Sequence, residues 1–394
     1  MSKKGSILFW GHSYYHNLFL AKELEKLGWR TTTVNTDDSP DQSIFYSGQD
    51  IQLTHNGLSD MLKHLLLYSK SLYQYDIFHF SATYSLKMLN DWYKVTNKIP
   101  FIPWWWDIKL LKKLGKKIVY ANNGCHDGLL QSTFASQGYY NTCSICRWQN
   151  EPSICSDKRM QEWGEYRNAM ADAQIHNGGH RHDYNDNSSV HYVPEYYCVD
   201  PDYWDPDVSI PEEHLLKKDS DVIRIYHAVG NYDLRSRDRV NAKCTHIWIP
   251  VVEQLKSEGH NVELMFLKNI PNKDVRYYQA QADIVVDMLT YGWFGANIRE
   301  ALTIGKPVIC YINDEWKKQT AEQIPDYVEE MPIISATIDT AYETLKELVL
   351  DKEKRLKIGR KGREFAIKWH SPKAGAEQLD KLYSSVMNKH IFKR

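Results

Sequence analysis

Residues 283–314 read DIVVDMLTYGWFGANIREALTIGKPVICYIND. An apolar run, DIVVDML, leads into a glycine- and aromatic-rich loop, Tyr291–Gly295. The next ten residues, ANIREALTIG, have helical spacing, and KPVICYI is a second apolar run. Strand, loop, helix and strand in that order form a βαβ unit, whose two strands must run parallel. Ligands of such sheets bind beyond the carboxyl ends of the strands, so the loop before Asn297 is the first place to look for chemistry. A helix starting near Asn297 presents unpaired N–H groups and a positive dipole end, which suits phosphate or a polar sugar. Gly295 lets backbone approach a ligand closely. Glu300 lies one turn inside and can reach a ligand hydroxyl. The other reading is a plain glycine turn beside a solvated glutamate.

The same alternation extends on both sides. Downstream of residue 206, VIRIYHAV and NVELMFL read as strands, and HIWIPVVEQLKSEG and NKDVRYYQAQ as helices. Upstream, SILFW, TTTVN, YDIFHF and KKIVYANN read as strands, with helices in NLFLAKELEKLGW and LKMLNDWYKVT. Between the two series, residues 190–213 are rich in Pro and Asp. The expected fold is α/β, with two doubly wound parallel-sheet domains. The first covers residues 1–205, with an irregular, cysteine-bearing insertion at about 124–190 that holds one helix; the second covers 206–372. A length of 394 residues suits two domains.

Composition narrows the function. The chain is 25% charged and 42% apolar with a net charge of −1, so no global field favours nucleic acid. No stretch approaches the roughly 18 apolar residues that a membrane span needs. The N-terminal MSKKGSILFWGHSYYHNLF lacks a small-residue cleavage site and reads as a strand, not a signal peptide. The expected compartment is cytoplasmic, where thiols stay reduced.

Four further segments carry chemistry. HAVGNYDLRSRDRVNAKCTH (227–246) brings Arg235, Arg237, Arg239 and Lys243 to the end of a strand. It is either a diphosphate site or a solvated charge run. No Walker motif or Gly-x-Gly-x-x-Gly fingerprint is present. Cys125, Cys143, Cys146 and Cys155 supply four thiols, either a closed structural zinc site or four free thiols. His12, His79 and His126 each follow a strand, and an imidazole there can take a proton from an acceptor hydroxyl or serve structure alone. HNGGHRHDY (176–184) reads as a polar loop. PFIPWWWDIKLLKKLGKK (100–117) is either a surface for peripheral membrane contact or an amphipathic helix packed on its own sheet.

The motifs Gly292-Trp293-Phe294-Gly295, Glu300-Ala301, Gly305-Lys306-Pro307-Val308 and Lys243-Cys244-Thr245 resemble those of the retaining glycosyltransferases of family 4, which have the GT-B fold. GKKIVYANNGC and the Cys-x2-Cys segment are similar to a bacterial and archaeal branch of that family. The resemblance covers most of residues 100–320. It implies two Rossmann-like domains facing across a cleft, with a C-terminal helix (373–394) crossing back to the first. It also implies a UDP- or GDP-linked sugar donor and a glycan or lipid-linked glycan acceptor in cell-surface polysaccharide synthesis, at the inner face of the cell membrane. Glu300 would hold the ribose. Lys243, with Arg239, would neutralise the diphosphate leaving group, so no catalytic metal is required. Gly295, Ala296 and Asn297 would meet the sugar or phosphate. Gly11, His12, His79 and Asn123 would line the acceptor side.

This sequence departs from the family in three places. Gly292 stands where the family has the first of two paired glutamates. Asn123 stands at the strand end where histidine is expected, which leaves His126 or Asp127 as the replacement acid–base group. Cys244 replaces the glycine of the phosphate loop. The competing functions are a GT-B sugar-nucleotide epimerase or phosphorylase, or a non-catalytic partner that keeps the fold.

Overall fold

The computed structural model describes residues 4–11, 14–36, 48–81, 86–99, 101–102, 105–127, 129–136, 142–217 and 221–388. Two sheets, both parallel throughout, organise them. The first contains β1 (Gly5–Trp10), β2 (Trp29–Asn35), β3 (Ile51–Gln52), β4 (Ile77–Phe80), β5 (Lys117–Ala121), β6 (Ala173–His176) and β7 (Val190–Tyr192), in the order β3-β2-β1-β4-β5-β6-β7. The second contains β8 (Ile223–Val229), β9 (Val262–Lys268), β10 (Ile284–Val286), β11 (Val308–Cys310) and β12 (Ile334–Ser335), in the order β12-β11-β10-β8-β9. Strand order reverses between β1 and β4 and again between β8 and β10, and at such switch points the loops part to leave a crevice.

Strands buried on both faces read as unbroken apolar runs. Ile7, Leu8 and Phe9 of β1 are fully buried, as are Ile284, Val285 and Val286 of β10. Val285 pairs with Val308 of β11 and with Tyr226 of β8. β10 is shorter than the run DIVVDML. It ends at Val286 because the Asp287 carboxylate turns to cap the Met288 N–H at 2.8 Å and to meet Lys243. The helix after it spans Ala296–Thr303, with Gly295 at its N-cap.

Within residues 124–190, expected to be an insertion with one helix, the chain returns to the first sheet as β6 and begins β7. The helix Pro372–Met387 packs on the helix His16–Lys26, and its Leu379, Leu382 and Tyr383 join Leu20 and Leu24 in one core. Gly375 permits this approach, since a Cβ there would lie 2.5 Å from the Glu195 carbonyl oxygen. Among the described residues, no helix is long and apolar enough to cross a membrane.

Candidate functional site

Two loops of the second sheet meet at the β8/β10 switch point. Asp287, fully buried, ties them together. Lys243, from the loop after β8, reaches Asp287 Oδ1 at 2.6 Å. Asn297, in the first turn of the helix after β10, donates from Nδ2 to Asp287 Oδ2 at 2.9 Å. Trp248 donates to the Asp287 carbonyl at 2.8 Å. Lys243, expected to neutralise a diphosphate, thus has a buried carboxylate partner of its own. Sequence reading missed Asp287, although an acidic residue closing an apolar run at a strand's carboxyl end was a usable signal.

Cys244 caps the helix Thr245–Ser257 at φ 59, ψ 35, the left-handed region that glycine adopts at least cost. It is not a neutral stand-in. Its Sγ accepts the Leu289 N–H at 3.4 Å, adding a second link between the two loops. Arg239 also has positive φ, 66°. Arg235, Arg237 and Arg239 are exposed beside this loop.

Glu300 is not the solvated residue of the plain reading. It is 2% exposed. Its Oε1 accepts from the Tyr15 hydroxyl at 2.9 Å and from Asn272 Nδ2 at 3.1 Å. Tyr15 lies in the turn after β1, so this bond joins the two halves of the chain. Burial raises the Glu300 carboxyl above its ordinary value, and the bonds from Asn272 and Tyr15, with Lys243 beyond them, oppose the rise. Beside Gly295 the space is open, for a Cβ there would meet nothing within 4 Å. Gly295, Ala296, Asn297, Glu300 and Lys243 therefore share one site.

A crevice continues from the loop, lined by Tyr291, Gly292 and Asn313 of the second half and by Phe134 and His180 of the first. His180 lies edge-on to Trp293, ring centroids 4.2 Å apart. Burial holds its proton affinity well below the ordinary value, and its Nε2 has no hydrogen-bond partner. The segment HNGGHRHDY, expected to be a polar loop, thus places buried His176 and His180 at the junction of the halves. Gly178 and Gly179 let it pass against Trp316, where any Cβ would collide.

The acceptor-side and acid–base expectations fare differently. Gly11 is buried at the end of β1, its carbonyl held by Asn17 Nδ2 at 3.1 Å. His12 lies outside the described residues, as does the side chain of His126. His79 is fully buried, bonded to the Tyr383 hydroxyl at 2.6 Å and stacked on Tyr196. Burial lowers its pKa to about 3. It is a neutral core group that does not reach the crevice. Asn123 is half-buried, with Nδ2 donating to the Ser81 carbonyl at 2.6 Å. Asp127 is fully buried, paired with Arg167 at 3.1 Å and accepting from Trp163, Tyr120 and the Asn123 N–H. With every partner internal, it is placed to hold structure, not to exchange protons.

The four cysteines lie near one another, with Cys125 and Cys143 near Tyr291 of the crevice. Cys125 and Cys143 pack against the core that contains Phe134 and Trp293. Burial, then the neighbouring Cys155, Cys146 and Cys143, pushes the Cys125 thiol up to about 12. The Trp148 N–H donates to Cys146 Sγ at 3.4 Å. The four thiols are neighbours, but they do not form a group with three ligand atoms within 4.8 Å of one another.

Residues 250–365 match the family Glycosyl transferases group 1. This group 1 segment contains β9–β12, Asp287, the 290–297 loop and Glu300, while Lys243 precedes it. No curated protein matches the chain. Among solved structures, the Anabaena protein HepE, in complex with UDP and glucose, is similar at 12% identity and TM-score 0.55, covering 97% of this chain and 99% of that one. Sucrose-phosphate synthase from Thermosynechococcus elongatus is similar at 14% identity and TM-score 0.55, covering 98% and 99%. TarM is similar at 9% identity and TM-score 0.55, covering 97% and 99%. At these identities the likeness is one of fold, and the fold is GT-B.

Proposed function

We propose that this protein transfers a sugar, with retention, from a nucleotide-sugar donor to a glycan or lipid-linked glycan in cell-surface polysaccharide synthesis. The observation that carries the reading is the convergence of Lys243, Asn297, Glu300 and the open backbone at Gly295 on the β8/β10 switch point, inside or next to the group 1 segment. HepE was solved with UDP-glucose, and its likeness in fold supports a UDP-linked donor.

In this reading residues 206–372 bind the donor and residues 1–205, completed by the C-terminal helix, receive the acceptor. The Glu300 carboxylate accepts from the ribose hydroxyls. Lys243, which Asp287 holds in a fixed direction, stabilises the diphosphate as the glycosidic bond breaks, and exposed Arg239 adds positive charge. Fixed charges and helix N–H groups do this without reorganising, so the step needs no catalytic metal. Gly292 offers no carboxylate, and His180 and the Tyr291–Phe294 aromatics are the groups left to recognise the donor sugar. Zinc on the four cysteines would staple the segment that carries Phe134 only once the thiols close to ligand spacing.

A lipid-borne acceptor fits a different surface from the tryptophan segment. Trp105 is stacked on Tyr166, whereas Leu58, Leu62 and Leu66 stand exposed along one face of the helix Leu58–Gln74. Failure to float with anionic vesicles would remove that surface from the proposal. The function itself is tested by a screen of UDP-, GDP- and dTDP-sugars for binding and hydrolysis. Binding of none of them would exclude it.

A further inference from the structure

Away from this site, three side chains meet at the carboxyl edge of the first sheet. His55 follows β3, His64 lies on the helix Leu58–Gln74, and Asp91 is in the first turn of the helix Asn90–Thr96. We propose that His55, His64 and Asp91 form a binding site for a divalent transition ion of the zinc class. The inference is independent of the glycosyltransferase reading.

The three residues each offer a ligand atom, and the atoms lie within 4.8 Å of one another. Among the described residues this is the one such group of histidine, cysteine and carboxylate. His55 Nδ1 is 2.6 Å from Asp91 Oδ2, and its Nε2 is 3.1 Å from the Thr36 carbonyl. His64 is 2% exposed. Its ring bonds the Thr54 backbone, and its Nε2 has no partner. His55 thus has Nε2 facing the Thr36 carbonyl and Nδ1 turned toward Asp91. Metal-binding histidines are held in this way, because the N–H···O bond fixes the tautomer and aims the lone pair. A buried, unsatisfied nitrogen is costly, and a metal bond removes that cost.

The surrounding charge permits a cation. Asp91 Oδ1 is shared with Lys94, a side chain 80% exposed and able to swing away. Asp60, one turn before His64, adds negative charge and is held by Thr54, Asn56 and Lys63. Two imidazoles and one carboxylate suit zinc and its neighbours rather than magnesium or calcium. Three protein ligands leave a fourth position open. His55, with 26% of its side chain exposed, gives access.

The test is Co²⁺ titration of chelator-treated, full-length protein, followed by Zn²⁺ displacement. The wild type is expected to develop d–d absorption, with His64→Gln and Asp91→Asn each weakening the binding by about 100-fold or more while circular dichroism stays native. The spectrum lost in those variants should lack thiolate charge transfer, which separates this site from the four cysteines. Two results overturn the proposal. One is a wild type whose Co²⁺ spectrum is thiolate-type alone. The other is equal affinity and spectrum in the wild type and a folded variant. The wild-type spectrum decides even where a variant does not fold.

Discussion

The Glu300 carboxyl is buried away from water. Its folded-state pKa is raised by burial, so the folded protein binds that proton more tightly than the unfolded chain does. The cost of the ionised form is absent at pH below the ordinary carboxylate range. It grows as pH rises through that range toward the raised value, and it is fully present above it. Glu300→Gln removes the charge and keeps an oxygen for Tyr15 and Asn272. The variant should therefore melt higher than the wild type at pH 8 and level with it near pH 4, read by scanning fluorimetry. A variant that melts lower at pH 8 would contradict this. Lys243 and Asp287 make the complementary case. Lys243→Ala strands a buried carboxylate and should cost about 3–5 kcal/mol in urea unfolding. Adding Asp287→Asn should recover at least about 1 kcal/mol of it. Additive losses would show that the pair is not coupled.

At the scale of elements, Asp127 joins the end of β5 to the helix Asp157–Met170 through Arg167 and Trp163. Asp127→Asn should cost about 3–5 kcal/mol of stability and leave turnover per folded molecule near the wild-type value. Native stability with lost turnover would return the residue to the acid–base role. Elements with long apolar runs were legible from sequence, β1, β8 and β10 among them. Others were not, for physical reasons. β3 has two residues. β6 reads AQIH and buries Gln174, whose Nε2 donates to Asn168 Oδ1 and Ser189 Oγ, so the strand shows no apolar pattern. The helix Leu58–Gln74 carries leucines on its exposed face as well, which blurs its period.

Across the whole molecule, the site is assembled from both halves. Glu300, Lys243 and Asn297 could be named in advance because they flank a glycine-rich turn and a basic loop. Tyr15 and His180 could not, since each acquires its meaning only by meeting Glu300 or Trp293 from a distant segment. That meeting also sets Phe134 and His180 of the first half beside Gly292, and His180 is among the groups proposed to recognise the donor sugar. The most direct measurement is calorimetric titration of wild type and Glu300→Gln with UDP-, GDP- and dTDP-sugars. The wild type should bind one nucleotide class, and the variant should bind it about 10–100-fold more weakly, the loss of one or two hydrogen bonds to a charged group. Equal binding by both proteins, or binding of no nucleotide-sugar by the wild type, would contradict the assignment of this crevice as a donor site.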